Sequence, residues 1–202
     1  MSGELELLDW RRRIFSLYAE VRATEPAAGH ARWCAAREEL LRAHPQSPLD
    51  AAGKTAFSGL RHFAYEPALR FTAPVDPRPG ERVEIQTSTG EAMAMRRFGV
   101  VDLPVGRLEV YWIDVYGGGV FVPFRDATSG SVTYGGGRYL LDTLKGADLG
   151  STERGELVLD FNFAYHPSCH YHHRWSCPLA PRENHLSVPI QAGEMAYGGQ
   201  HA

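Results

Sequence analysis

The sequence predicts an α+β protein, mainly an antiparallel β barrel or sandwich, with an N-terminal helical segment packed on it. Apolar residues through the first fifty positions recur at spacings of three and four, the repeat of a one-sided helix. From Leu69 onward the repeat drops to two, the mark of half-buried strands, and turns rich in proline and glycine separate the runs. Strand and helix do not alternate in this half, which argues against a doubly wound sheet. A chain of 202 residues, 44% hydrophobic and 22% charged, is long enough to bury a core without disulfides or metals as staples. One domain over 1–202 is therefore expected, its helical part, 1–60, lying on strands within 65–195.

In the first helix Leu7, Trp10, Ile14, Leu17 and Val21 form the apolar stripe, while Arg11, Arg12, Arg13 and Glu20 mostly lie off it. Glu25-Pro26-Ala27-Ala28-Gly29 breaks the pattern. A second helix is expected over about 30–43, with Trp33, Ala36, Leu40 and Ala43 on one side, and it stops at His44-Pro45 because proline cannot continue it. Ser47-Pro48-Leu49-Asp50 turns the chain into a short helical stretch that ends near Gly59. Strands are expected over 69–72, 82–87, 93–101, 107–115, 119–124, 132–141, 157–165 and 186–191, with turns at 76–80 and at Gly117-Gly118-Gly119. Within 156–163, Leu157, Leu159, Phe161 and Phe163 point one way and Val158, Asp160 and Asn162 the other, so Asp160 and Asn162 face either solvent or a barrel lumen.

A net charge of −3 without a clustered basic excess speaks against nucleic acid and anionic lipid as partners. A small molecule or another protein is expected instead, and a homo-oligomer is compatible with this. The first residues lack the basic and apolar segments of a signal peptide, and no apolar run approaches the roughly 18 residues of a membrane helix, so a cytoplasmic protein is expected. Cysteine usage agrees: Cys34, Cys169 and Cys177 are an odd set with no disulfide framework.

Chemistry concentrates in one tract. His166, His170, His172, His173 and His185, five of the nine histidines, fall within twenty residues of one another together with Cys169 and Cys177. Such a tract raises a metal site, zinc or iron on Cys169, His170, His172 and Cys177, but the eight-residue cysteine spacing is not that of a zinc knuckle. No metal and no other cofactor is the expectation, with that site as the alternative. Neither glycine triplet precedes a Lys-Ser/Thr helix start, so a phosphate loop is excluded.

The same tract resembles a known family. DFNFAYHPSC over 160–169, WSCPLAP over 175–181, Glu183-Asn184, Val188-Pro189-Ile190 and Ala192-Gly193-Glu194 are similar to the hallmark of the prokaryotic family called domain of unknown function 1684. Segments at 47–49, 57–60, 121–128 and 133–139 fit as well, so the resemblance runs from about residue 33 onward. It implies a set of residues without assigned roles: Arg138, Asp160, Asn162, Cys169, Cys177, Glu183 and Asn184. Members of the family more often carry Asn at the position of His166 and Asn or Asp at that of His172.

From residue type, a small-molecule enzyme using acid–base or thiol chemistry is expected, a hydrolase, lyase or isomerase without an organic redox cofactor. Cys169 or Cys177 is the nucleophile or acid, His166 or His170 the base, and Asp160 or Glu183 the carboxylate that orients the imidazole. Arg138 would bind a substrate carboxylate or an oxyanion, with Asn162, Asn184 and Tyr165 lining the pocket. The alternative is a non-catalytic ligand- or metal-binding barrel.

Overall fold

Two one-sided helices open the chain. α1 (Gly3–Arg22) buries Ile14, Leu17, Tyr18 and Val21, while Leu7 at the start of the expected stripe stays exposed. α2 (Pro26–Ala43) begins four residues earlier than the stripe alone suggests, because Pro26 occupies the first turn and the Glu25 carboxylate accepts the Ala28 N–H at 3.0 Å. Inside the hairpin the Trp33 indole donates to the Tyr18 hydroxyl at 3.1 Å. α3 (Ala51–Ala56) is capped by Asp50, whose Oδ1 accepts the Gly53 N–H at 2.7 Å. The computed structural model describes residues 2–198; residue 1 and 199–202, also within the expected domain, lie outside the described residues. Among the described residues no helix is long and apolar enough to cross a membrane.

Seven strands follow among the described residues. β1 (Arg70–Ala73) pairs with β7 (Leu157–Asp160) in a two-stranded antiparallel sheet. β2 (Asp76–Gln86), β3 (Ala92–Leu103), β4 (Gly106–Ile113), β5 (Gly119–Phe124) and β6 (Arg138–Asp142) form an antiparallel meander in chain order. Alternation along the strands gives this sheet two apolar faces. Tyr111, Ile113, Phe121 and Tyr139 join the helix residues Leu17, Val21 and Trp33 in one cluster. Leu108, Val110, Val122 and Leu140 join Ala73 of β1, Leu159 of β7 and Ile190 in another. The larger sheet thus lies between the helices and a second β layer, which fits the sandwich side of the expectation.

The barrel side does not hold, since the five-stranded sheet is open. Its β2 edge carries Pro77 and Pro79 and is mostly exposed and charged, features that resist further pairing. Its β6 edge is occupied by backbone exchange between Tyr139 and Tyr165, at 2.9 and 3.2 Å. Two expected strands are also shorter than their apolar runs. The 132–141 run pairs only from Arg138, because Asp126 Oδ1 accepts both the Thr128 N–H and its hydroxyl, at 2.6 and 2.5 Å, and folds the preceding residues into turns. The 157–165 run ends at Asp160, whose Oδ1 accepts the Asn162 N–H at 3.0 Å and starts a 3-10 turn. The expected strand at 186–191 does not form: its Leu186 N–H and Val188 carbonyl make single backbone bonds to the Arg125 carbonyl and the Ala127 N–H, and its Ile190 carbonyl turns to a side chain, as described next.

Candidate functional site

Arg138 is the side chain that holds the C-terminal segment. Its guanidinium donates to Asp126 Oδ2 at 2.5 Å, to the Ile190 carbonyl at 2.9 Å and to the Ala192 carbonyl, with the Glu194 carbonyl at 3.4 Å. Only 1% of the residue is exposed. Its charge and donors are taken up by the protein itself, as are the polar groups of three other expected site residues. Asp160 is fully buried and bonds Arg70 Nη1 at 3.1 Å; burial raises its carboxyl above the ordinary value, opposed by the bonds from Asn162 and Arg70. Asn162 accepts the Glu66 N–H and donates to the Glu66 carbonyl, at 2.8 and 2.9 Å. Asn184 ties β4 to β5: it accepts the Glu109 N–H and donates to the carbonyls of Glu109 and Pro123. Glu183, beside it, is exposed.

The structure gathers the remaining site residues on the chain that leaves β7. His166 and His170 have ring centroids 4.3 Å apart. The His166 backbone N–H donates to Glu194 Oε2 at 2.7 Å, and its Nδ1 lies 3.5 Å from the same oxygen. Its Nε2 accepts the Tyr134 N–H at 3.2 Å, so the neutral ring carries its proton on Nδ1, toward the carboxylate. His170 Nε2 accepts the Tyr197 N–H at 2.9 Å. The Tyr165 hydroxyl is buried 3.4 Å from Asp142 Oδ2.

Cys169 sits on a 3-10 turn, Ser168–His170, and Cys177 on a segment docked along the end of β2. Ser88 fixes that segment twice: its N–H donates to the Cys177 carbonyl at 2.9 Å, and its hydroxyl oxygen accepts the Cys177 N–H at 3.1 Å. The Tyr139 hydroxyl donates to the Pro178 carbonyl at 2.7 Å. Cys177 Sγ consequently lies beside its partner, accepting the Cys169 N–H at 3.3 Å, and Cys169 Sγ stands 3.8 Å from the Tyr134 hydroxyl. Both thiols are free. The Cys177 thiol is the chief group stabilising a thiolate on Cys169, aided by the hydroxyls of Ser88 and Tyr134 against the opposing effect of burial. The first proton therefore leaves the pair below the ordinary thiol range, and the second is pushed far above it.

His172 does not join this pair. Its Nε2 lies 3.3 Å from Asp50 Oδ2 and its ring stacks on His173, at 4.5 Å between centroids. Among the described residues no group of three or more His, Cys, Asp or Glu side chains is placed to hold a metal ion.

Two residues absent from the expected set organise the buried surroundings. Arg37 of α2 meets Glu194 with Nε 2.6 Å from Oε1, and both side chains are nearly or wholly out of solvent, at 8% and 0%. The Tyr171 hydroxyl donates to Glu194 Oε2 at 3.0 Å. Burial would raise the Glu194 carboxyl, but Arg37 and its other neighbours hold it well below the usual carboxylate range. Gly193 makes this approach possible: it adopts a φ of +77°, and a Cβ there would lie 2.5 Å from the Ala164 carbonyl oxygen. The sequence did carry a signal for Arg37, since it follows Trp33 by four residues and precedes Leu40 by three, a charge on the apolar stripe. A small cleft of about 60 Å³ is lined by Arg37 but not by Glu194, together with Trp10, Tyr165, His166, Ser168 and Tyr171, and neither sulfur lines it.

Burial lowers three imidazoles, His30 to about 4 and His62 and His166 in the same direction. Unfolded histidines take up a proton near pH 6.5 that these do not, so their contribution is complete above that pH and is lost as the pH falls toward the folded values. Urea unfolding is therefore expected to give a lower midpoint at pH 5 than at pH 7.5. An equal or higher midpoint at pH 5 contradicts the neutral burial of these rings.

Comparison with known proteins adds a family and a fold. No curated protein matches the chain. A solved solution structure, that of the uncharacterized protein from gene locus rrnAC0354 of Haloarcula marismortui, is 30% identical, with a TM-score of 0.55 over 83% of this chain and 92% of that one. The family described as protein of unknown function (DUF1684) matches residues 55–195, which contain the seven strands, both site cysteines, Arg138 and Glu194. On that match the chain belongs to the DUF1684 family.

Proposed function

We propose that the protein is a small-molecule enzyme working through thiol chemistry, with Cys169 as the nucleophile and Cys177 as its hydrogen-bonding partner. The observation that carries this reading is the docking of Cys177 Sγ 3.3 Å from the Cys169 backbone nitrogen, with the Tyr134 hydroxyl 3.8 Å from Cys169 Sγ, a setting in which the Cys177 thiol above all favours a thiolate on Cys169. The imidazoles support it by what they are doing instead. A general base needs a free lone pair aimed at the reacting proton, and Nε2 of both His166 and His170 already accepts a backbone N–H. Acid–base work by either ring requires that tie to break, whereas a thiolate needs no base. Hydrolysis, cyclisation and isomerisation through a covalent thioester or thioether are all within reach of such a nucleophile. Ser88, Thr89 and Ser176 are exposed and lie over the pair, which places it one layer below solvent.

The test is the alkylation rate of the folded protein against pH, with the modified residue identified by peptide mapping. Cys169 is expected to react with a midpoint below the roughly 8.5 of a free cysteine, and Cys177→Ala to raise that midpoint. Cys34, pushed up to about 12 by burial, serves as the internal slow control. Reaction of Cys169 and Cys177 only on unfolding removes the reading.

A further inference from the structure

The same site narrows the chemistry, granted that Cys169 is the reactive thiol proposed above. Attack by a thiolate needs no base, but completing an acyl transfer calls for donors to a developing oxyanion and a base for the water that releases the acyl group, and the nearby imidazoles are tied to backbone amides. Beyond its hydrogen bond to the thiolate, a second thiol adds nothing to such a reaction. It is what a thiol needs when the product of its first step is an oxidised sulfur, because a neighbouring thiol then converts a sulfenic acid into a disulfide. Cys177 is in that position, its sulfur against the Cys169 backbone and its segment anchored through Ser88 and Tyr139. The Tyr134 hydroxyl, 3.8 Å from Cys169 Sγ, is a donor suited to a departing oxygen as well as to a thiolate, whereas the Ser88 hydroxyl already donates to the Trp175 carbonyl at 2.9 Å. Both cysteines are also largely covered, at 6% and 4% exposure, so the electrophile must be small.

We propose that this pair reduces small hydroperoxides and forms a Cys169–Cys177 disulfide in doing so. The Cys169 thiolate attacks the terminal oxygen of the hydroperoxide. An S–O bond forms, the O–O bond breaks, and the alkoxide or hydroxide leaves, taking a proton from solvent through the neighbouring hydroxyls. Cys169 is now a sulfenic acid, oxidised by two electrons, and the peroxide has been reduced to an alcohol or water. Cys177 then attacks the Cys169 sulfur; the S–S bond forms, the S–O bond breaks, and hydroxide departs with the Cys177 proton as water. An external dithiol returns both residues to thiols by exchange and is itself oxidised to a disulfide.

The experiment treats the reduced full-length protein with one equivalent of hydrogen peroxide and maps its peptides without reduction. The expected result is a loss of two hydrogens in mass, a peptide linking 169 to 177, and full reversal by dithiothreitol. In Cys177→Ala the reaction stops at a sulfenic acid on Cys169 that dimedone traps, and in Cys169→Ala peroxide consumption falls to that of a control protein with buried thiols. With dithiothreitol in excess, the wild-type rate near pH 7 is expected to exceed that of free cysteine by about tenfold, since free cysteine is only a few per cent thiolate there. Fast alkylation of Cys169 combined with peroxide consumption no faster than free cysteine overturns this proposal and leaves the thiol reading standing. Absence of both reactions in the folded wild type overturns both.

Discussion

Replacing Glu194 by alanine is expected to lower the unfolding free energy by about 3–5 kcal/mol, the range for removing one partner of a buried ion pair. Three groups lose their acceptor at once: the Arg37 guanidinium, the Tyr171 hydroxyl and the His166 backbone N–H. Arg37 cannot turn to water, because its guanidinium lies over the rings of Trp33 and Tyr165, at 5.3 and 4.7 Å. The penalty is that of the stranded charge more than of the lost attraction. It follows that Arg37→Met placed on Glu194→Ala should recover part of the loss, since it removes the stranded charge. Equilibrium urea unfolding followed by tryptophan fluorescence measures both. A single variant within 1 kcal/mol of the wild type, or a double variant that loses the sum of the two singles, contradicts the buried pair as the anchor of this region.

Arg138→Met is expected to have an effect of the same size, about 3–5 kcal/mol, for a related reason. The substitution leaves Asp126 buried with no cation and frees the carbonyls of Ile190 and Ala192, in a segment that has no strand ladder to replace them. That segment runs on to Glu194, so Arg138 also positions the carboxylate beneath His166. Amide hydrogen exchange should therefore show faster exchange over 186–196 and 164–171 than over β3 and β4. Uniform loss of protection throughout the chain, or none, argues that Arg138 does not act through the C-terminal segment.

Periodicity along the sequence was sufficient for the helices and for most of the sheet, because those elements bury a face and the face is written into local spacing. Ile14, Leu17 and Val21, or Leu108 and Val110 against Tyr111 and Ile113, are such cases. It failed where a side chain competes with the ladder: Asp126 and Asp160 each fold their backbone into a turn, and Arg138 takes the Ile190 carbonyl, which a strand at 186–191 would have used. The site divided along the same line. The two cysteines stand eight residues apart on one loop, so their meeting was open to inference from sequence. Arg37 and Glu194 are separated by 157 positions, and Arg138 meets carbonyls more than fifty positions away. Pairs of that separation leave no local pattern beyond a charge on an apolar stripe. Arg138, Asp160, Asn162 and Asn184 likewise share a tract or a family pattern with the cysteines, yet each spends its hydrogen bonds on backbone or on a buried charge, which residue type alone does not show.

The central claim is that the folded protein holds a thiolate at Cys169 near neutral pH. Thiolate ultraviolet absorbance, recorded against pH on the native reduced protein and on Cys169→Ala, tests it without reference to any substrate. About one thiolate per chain is expected at pH 7, titrating in below the free-cysteine range and absent from the variant. Absorbance that appears only above roughly pH 8.5, or is the same in the variant, contradicts it.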